Sequence, residues 1–213
     1  MDVIWYATNL AFFGVLFAHT TALGGWSLDQ VWIFAGGVFV SDAIHMTMFS
    51  NNLWWFPFAV NRGDLDYHLV RPVSSLFILS LREFAANSFL NLVIAAGVLT
   101  WALERYPHPL GTGSILLFLV FLLVGAFLHY VLAMLFLVPV FWLHTAHGLR
   151  ELFFGFDRFT GRPHGIFTGF FGRMLVSVLP FALIVSFPTT GLFEGFSWTL
   201  VVHMLGVTIL AFL

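Results

Sequence analysis

An apolar stretch at residues 31–49 contains a carboxylate and an imidazole, Asp42 and His45, three positions apart. Residues at this spacing share one face of a helix. An Asp at the centre of a bilayer costs roughly 2.5–3.5 kcal/mol, whereas an Ile, Phe or Val stabilises insertion by only about 0.3–0.6 kcal/mol. The pair is therefore expected to face a bundle interior or a water-filled cavity rather than lipid. It is interpreted either as the lining of a polar path or as an interhelical contact.

A second group of candidate ligands is formed by His144, His147 and Glu151. Their spacing of i, i+3 and i+7 would place them on one helical face. Such a face could hold a metal ion, as in a membrane-embedded metal-dependent hydrolase. Two histidines without a third nearby are also typical of interfacial anchors at a helix end, so both interpretations are kept.

The densest group of charges is Arg62-Gly63-Asp64-Leu65-Asp66, with Arg71-Pro72 following it. Gly63 allows a turn, and Asp64 or Asp66 is expected to cap the helix after it. Pro72 is expected to end that helix. The pattern predicts a short helix suited to docking a soluble partner, or a solvated loop that carries anchoring charges.

The composition decides the class of protein that holds these residues. Of 213 residues, 60% are hydrophobic and 8% are charged, whereas a soluble domain carries about 25% charged residues. The absence of cysteine excludes disulfides and thiolate metal sites, and the net charge of −2 gives no indication of a nucleic-acid partner. We interpret residues 1–213 as one all-α domain of a polytopic integral membrane protein, surrounded by membrane lipids.

The elements that position the candidate residues are predicted from hydropathy. A helix needs about 20 apolar residues to cross about 30 Å of hydrocarbon. Six spans are predicted, near residues 3–23, 31–49, 75–103, 114–143, 174–193 and 196–213. The polar stretches 51–74 and 144–173 lie between them, and 148–162 is predicted as a helix in the interface plane or as a cytoplasmic extension of the fourth span. Pro180 is expected to kink the fifth span.

The arginines predict an orientation. Seven of eight fall on or beside the stretches 51–74 and 144–173, and only Arg105 falls on the other side. The positive-inside rule makes the first side cytoplasmic, which places both termini in the cytoplasm. Arg82 and Glu83, which are adjacent in the predicted third span, are expected not to face each other.

The string NNLWWFPFAVNRGDLDYHLVRPVSSLF at residues 51–77 resembles the signature of type-2 ABC transporter permeases, and more narrowly a bacterial branch with an RGDLD…LRPVS pattern. The strings GLRELFFGFDRFTGRPHGIF and LPFALIVSFPTTGLFEG are similar to the same branch. The likeness runs from about residue 25 to about residue 194. One departure is the start, because family members usually begin with a basic amphipathic elbow helix before the first span; either the start is displaced here or the elbow is missing.

The resemblance implies an exporter-like transmembrane domain in the bacterial plasma membrane, paired with a second permease subunit as a homodimer or heterodimer. It also implies a separate ATPase subunit that binds ATP and Mg, with no cofactor, metal or catalytic residue on this chain. No G-x-x-x-x-G-K-[ST] phosphate loop occurs in the sequence, which agrees. The stretch 51–74 becomes the coupling segment, and Asp42 and His45 become candidates for a translocation path. The residues implied to contact the ATPase are Arg62, Gly63, Asp64, Leu65, Asp66, Arg71 and Pro72.

Two alternatives remain beside the permease. One is the metal-dependent hydrolase built on His144, His147 and Glu151. The other is a membrane scaffold that transports nothing.

Overall fold

A computed structural model describes residues 2–70, 72 and 74–212, and these residues form helices without a strand. The α-helices are α1 (Asp2–Phe17), α2 (Leu28–His45), α3 (Asn51–Arg62), α4 (Asp64–Leu69), α5 (Ser75–Leu81), α6 (Phe89–Arg105), α7 (Thr112–Leu137), α8 (Val140–Leu143), α9 (Ala146–Asp157), α10 (Gly169–Ser177), α11 (Phe181–Glu194) and α12 (Trp198–Phe212). The all-α prediction is confirmed.

Two helical stretches of the described chain are long and apolar enough to cross a membrane, Leu28–Arg62 and Thr112–Leu143. A third candidate is the pair α10 and α11, if this pair, bent by 90°, counts as one span. The apolar helices Val3–Phe17 and Trp198–Phe212 are shorter. Length and composition thus support a membrane protein with two or three candidate spans, and the number six stays a prediction.

The longest of these stretches joins α2 to α3 through a π-helical turn at Met46–Ser50. It begins at a capping box in which Gln30 Oε1 accepts a hydrogen bond from the Ser27 backbone N–H at 2.9 Å. It ends at Gly63, whose φ of +77° suits glycine best. At 1.5 Å per residue its 35 residues extend about 52 Å. We call its two termini the Gly24 end, after the preceding turn, and the Arg62 end.

Residues 51–62 were predicted as part of a polar loop, whereas the structure forms helix α3 there, which continues the helix of the preceding span. Asn51 and Asn52 lower the local hydropathy, but Asn52 is only 1% exposed and is fully engaged in the bundle. Its Nδ2 donates to Ser80 O at 3.0 Å and to Glu83 O at 2.9 Å, and its Oδ1 accepts from Glu83 N at 3.0 Å. Buried polar groups are tolerated inside a helix bundle when they are satisfied in this way.

The backbone groups that bond Asn52 lie at a break in the predicted third span. α5 ends at Leu81, and α6 begins only at Phe89 after a short 3₁₀ turn at Ala86–Ser88. The backbone leaves the helix here, so Arg82 and Glu83 do face each other, with Nη2 and Oε1 2.6 Å apart. The expectation that they would not was wrong, since it assumed a continuous helix. The guanidinium also lies over the Trp55 ring, 4.1 Å from its centroid.

At two glycines of the bundle, the backbones of neighbouring helices lie very close to each other. The nearest atom to a Cβ placed on Gly36 of α2 would be Leu99 Cα of α6, at 2.8 Å. On Gly125 of α7, an added Cβ would meet the Ile184 carbonyl oxygen of α11 at 2.0 Å. Helices that approach this closely gain dispersion contacts that larger residues would prevent.

The stretch 144–173 was predicted as a loop on one side of the membrane, and the structure corrects this. Asn61 Nδ2 at the Arg62 end donates to His144 O at 3.2 Å. Twenty residues later the His164 ring lies edge-on to Trp26, with centroids 6.1 Å apart, and Gly165 packs on the Gly24 backbone. The chain therefore runs the length of the bundle between His144 and His164. Arg162 consequently lies near the Gly24 end, so the count of seven arginines on one side does not hold.

The predicted fifth span, 174–193, is also corrected. α10 ends at Ser177, and α11 begins at Phe181, directly after Pro180, so the expected break at this proline is confirmed. α11 finishes at the Gly24 end, because Phe193 approaches Trp26 at 6.1 Å between ring centroids.

Neither interpretation of residues 148–162 describes α9. The helix ends at Asp157, six residues before Pro163. Phe153 is buried and packs against Phe136 of α7 and Phe181 of α11, with ring centroids 5.9 and 6.1 Å apart. α9 therefore packs one face on the bundle and leaves the other face, with Glu151 and Leu152, exposed, and its course from His144 towards His164 differs from both predicted placements.

Candidate functional site

A cluster of ionisable side chains lies in the middle of the bundle. α2 contributes Asp42 and His45, α7 contributes His129, and the last residue of α9 contributes Asp157. The two imidazoles stack with ring centroids 4.1 Å apart, and His129 Nε2 lies 2.9 Å from Asp157 Oδ1. His45 is buried and Asp42 is half-buried, so the predicted pair does face the interior. The cluster ties three helices together through polar contacts.

Sequence reasoning missed His129 and Asp157. His129 is the single Asp, Glu, Lys, Arg or His residue of the 26-residue helix α7, and such a residue in an apolar span is itself a signal of function. Asp157 gave no comparable signal, since it sits among other charges and 28 positions separate it from its partner. Only the return of α9 along the bundle brings the two together.

Two adjoining cavities surround the cluster. The smaller, of about 80 Å³, lies between α2, α3, α7 and α9. The larger, of about 820 Å³, lies between α1, α2, α9 and residues 158–167. Both are lined by Asp42, His129, Phe154 and Asp157, so the cluster stands where the two cavities meet.

Two further arginines sit on aromatic rings beside these cavities. The Arg150 guanidinium, at the small cavity, lies 3.5 Å from the Trp54 ring centroid. The Arg162 guanidinium, at the large cavity, lies 4.7 Å from the Phe12 ring centroid and 5.9 Å from that of Phe13. Burial lowers the pKa of Arg162, but an arginine remains charged in proteins. Cations on aromatic faces are stabilised by the ring quadrupole, more so when water is excluded.

The predicted contact residues for an ATPase lie at the Arg62 end. Gly63 is the turn residue before α4, and the helix begins without a side-chain cap, so the expected capping by Asp64 or Asp66 is wrong. Leu65 is buried and anchors α4, while Asp64 and Asp66 are exposed.

Two large hydrophobic side chains are exposed beside these carboxylates: Tyr67 is 65% exposed and Val70 is 81% exposed. α4 ends at Leu69, three residues before Pro72, which is exposed too. Arg71 lies outside the described residues.

The predicted metal-binding face does not form. His144 adopts a left-handed backbone with φ of +52° between α8 and α9, so it shares no helical face with His147 and Glu151. Among the described residues no group of three or more His, Cys, Asp or Glu side chains is placed to hold a metal ion. The spacing of i, i+3 and i+7 brings side chains to one face only on an unbroken helix, and the chain has a helix break at His144.

His164 yields a pH-dependent prediction. Its Nδ1 lies 2.8 Å from Ser186 Oγ, and burial lowers its pKa, an effect that Glu194 partly offsets. The unfolded chain therefore binds a proton more readily than the folded one, so stability falls as the pH drops below the ordinary value of about 6.5. We expect the Tm to decrease between about pH 7.5 and about pH 5, and to decrease less in His164→Gln. Equal pH profiles of the two proteins in detergent would contradict this.

The whole chain can be compared with known families. The family described as ABC-2 family transporter protein matches residues 3–213. No curated protein and no solved structure is found to match. The match includes α4 at the Arg62 end, the polar cluster and both cavities. This chain therefore belongs to the ABC-2 family of transporter proteins and is a membrane permease subunit of an ABC transporter.

Proposed function

We propose that this permease exports its substrate and is driven by a separate ATPase subunit that docks at α4. The single observation that carries the proposal is the exposed face of α4, where Asp64, Asp66, Tyr67 and Val70 project from a short helix anchored by Leu65. Acidic groups beside exposed apolar side chains suit a protein partner better than lipid. ATP and Mg are then bound by that ATPase, and this chain supplies no cofactor site or catalytic residue.

The helix that leads to α4 connects the proposed docking surface with the cavities. Gly63 directly joins α4 to the 35-residue stretch that carries Asp42 and His45. A packed helix moves largely as a rigid body, so displacement of α4 is transmitted along it. Asn52 extends this connection to the break between α5 and α6. Closure of the ATPase on ATP would therefore shift the helices that line the cavities, with Asp42 and His45 on the translocation path.

The permease is also proposed to work as a dimer with a defined orientation in the membrane. A second permease subunit, identical or related, completes the pathway, because one chain of this size supplies half of it. The Arg62 end faces the cytoplasm of a bacterial cell, in line with Arg62, Arg82 and Arg150 at or near that end. Both termini are proposed to be cytoplasmic.

The docking role of α4 predicts the effect of Asp64→Ala combined with Asp66→Ala. Removing carboxylates that pair with basic groups of a partner typically costs 1.5 kcal/mol or more per pair, so we expect at least about tenfold weaker ATPase binding. Copurification and titration of the ATPase with the reconstituted permease measure this. Transport should fall in parallel.

The matched control is Glu104→Ala, since Glu104 is an exposed carboxylate at the end of α6 remote from Arg62. It should leave ATPase binding unchanged. Undiminished binding and transport in the double variant would remove the docking role from α4. An unaltered chain that copurifies with no ATPase would instead favour the membrane scaffold.

A further inference from the structure

The large cavity contains a positive charge that no acidic side chain neutralises. Arg162 is half-buried on the rings of Phe12 and Phe13. Within the described part of the chain, its hydrogen bond is to the carbonyl oxygen of its neighbour Gly161, at 3.2 Å, and it takes part in no ion pair. Arginine has five N–H donors, so most of them remain available to an acceptor in the cavity.

Three carboxylates of the described chain line the same cavity, those of Asp42, Glu151 and Asp157, and none of them is in an ion pair with Arg162. Glu151 lies six residues before Asp157 on α9, towards the Arg62 end, and interacts electrostatically with Arg150. Asp157 lies against His129 at 2.9 Å and accepts from Thr160 Oγ1 at 3.5 Å. Asp42 stands with them where the two cavities meet. Arg158 also lines the large cavity, which adds a second guanidinium on the stretch that leads to Arg162. The charge available to a ligand near the Gly24 end is therefore positive.

The rest of the cavity wall is suited to an apolar group. Half of the lining residues are aliphatic or aromatic, among them Trp5, Phe12, Phe13, Phe159 and Phe167. The volume of about 820 Å³ lies within the range of roughly 300–1,000 Å³ that small-molecule sites occupy. An inorganic anion would leave most of this space empty, and a cation would be repelled by Arg162 from the Phe12 and Phe13 rings.

We infer that the large cavity binds an amphiphile with an anionic head, the head on Arg162 and the apolar part against the aromatic wall. If the proposed export function holds, on which this part of the inference rests, such amphiphiles are the transported class. The same chemistry could come from a membrane phospholipid or from a single-chain anion, and the experiment separates these sources.

The test uses the purified full chain in nanodiscs of phosphatidylcholine, without an ATPase. The probe is dibrominated stearate, because bromine quenches the fluorescence of a nearby tryptophan, and Trp5 lines the cavity. We expect saturable quenching that is largely lost in Trp5→Phe. In Arg162→Gln, the apparent affinity should fall about tenfold or more, since a hydrogen bond to a charged group is lost. Arg162→Lys should retain more of the affinity than Arg162→Gln.

The matched control is Arg105→Gln, whose guanidinium lies 5.7 Å from the Trp101 ring centroid and does not line the cavity. It should bind the probe as the unaltered chain does. The methyl ester of the probe keeps the apolar tail and lacks the charge, so it tests the head group without any variant. Equal binding of acid and ester, equal binding by Arg162→Gln, or no saturable quenching would each overturn the inference.

Phosphatidylglycerol added to the nanodiscs separates the two sources. Competition with the probe would identify a phospholipid head, whereas its absence would identify a single-chain anion; both outcomes support the site. None of these measurements involves α4 or nucleotide. A failed Asp64 and Asp66 experiment with intact probe binding would therefore reject the docking proposal alone.

Discussion

Replacing Asn52 by leucine is expected to lower the free energy of unfolding by about 3 kcal/mol or more. The change leaves Ser80 O, Glu83 O and Glu83 N without the amide that now satisfies them. Each unsatisfied group of this kind costs roughly 1–3 kcal/mol when it is buried. Because these groups hold the break between α5 and α6 against α3, we also expect faster proteolysis at residues 82–88. Denaturant titration of the detergent-solubilised chain measures the first effect.

Asn61→Leu is the matched control. Asn61 is exposed and makes one hydrogen bond, to His144 O at 3.2 Å, so its loss should cost no more than about 1 kcal/mol. Equal destabilisation by Asn52→Leu and Asn61→Leu would show that the hydrogen bonds of Asn52 contribute no more to the free energy of unfolding than the single bond of Asn61. Asn52→Asp is informative as well, because a carboxylate keeps the size but cannot donate to the two carbonyls.

Gly125→Ala is expected to destabilise the bundle by about 3 kcal/mol, the upper part of the range for overpacking. The new Cβ would lie 2.0 Å from Ile184 O, and a backbone carbonyl inside α11 has no rotamer through which to move away. α7 and α11 would have to separate, and a shift of α11 would also disturb its close contact with α2, where Val185 Cγ1 lies 3.0 Å from a Cβ placed on Gly37. Thermal unfolding in detergent, followed by tryptophan fluorescence, would report the change.

The control for Gly125→Ala is Gly97→Ala in α6. No atom outside its own helix and chain neighbours lies within 4 Å of a Cβ at this position, and alanine favours a helix over glycine by about 1 kcal/mol. Gly97→Ala should therefore be neutral or mildly stabilising. A Gly125→Ala protein as stable as the unaltered chain would show that α7 and α11 do not pack as described.

The features that could be predicted from sequence are those that depend on composition and on local backbone chemistry. The scarcity of charge predicted the membrane class, Gly63 predicted the turn before α4, and Pro180 predicted a break. Asp42 and His45 were expected in the interior because their transfer into lipid is unfavourable. In each case the physical cause acts within a few residues of the feature.

The features that were missed depend on contacts between distant segments. In the sequence, Asn52 indicates only a polar interruption of an apolar stretch, whereas in the fold it is hydrogen-bonded to Ser80 and Glu83. In the sequence, Asp157 is one of several neighbouring charged residues, and only the fold places it against His129. Hydropathy averages over neighbours along the chain, so it assigns such residues to loops, although their polar groups are satisfied by partners elsewhere in the bundle.

The passage of residues 144–164 along the bundle has a consequence for how the protein is made. This stretch carries the charged residues Arg150, Glu151, Asp157, Arg158 and Arg162. At roughly 2.5–3.5 kcal/mol for an Asp or Arg at the centre of a helix, it would not partition from the translocon into lipid on its own. Its path requires α2 and α7 to be already in the membrane, with His129 and the aromatic rings presented to it. Biogenesis is therefore expected to have an obligatory order, in which the amino-terminal helices act as the template for the later ones.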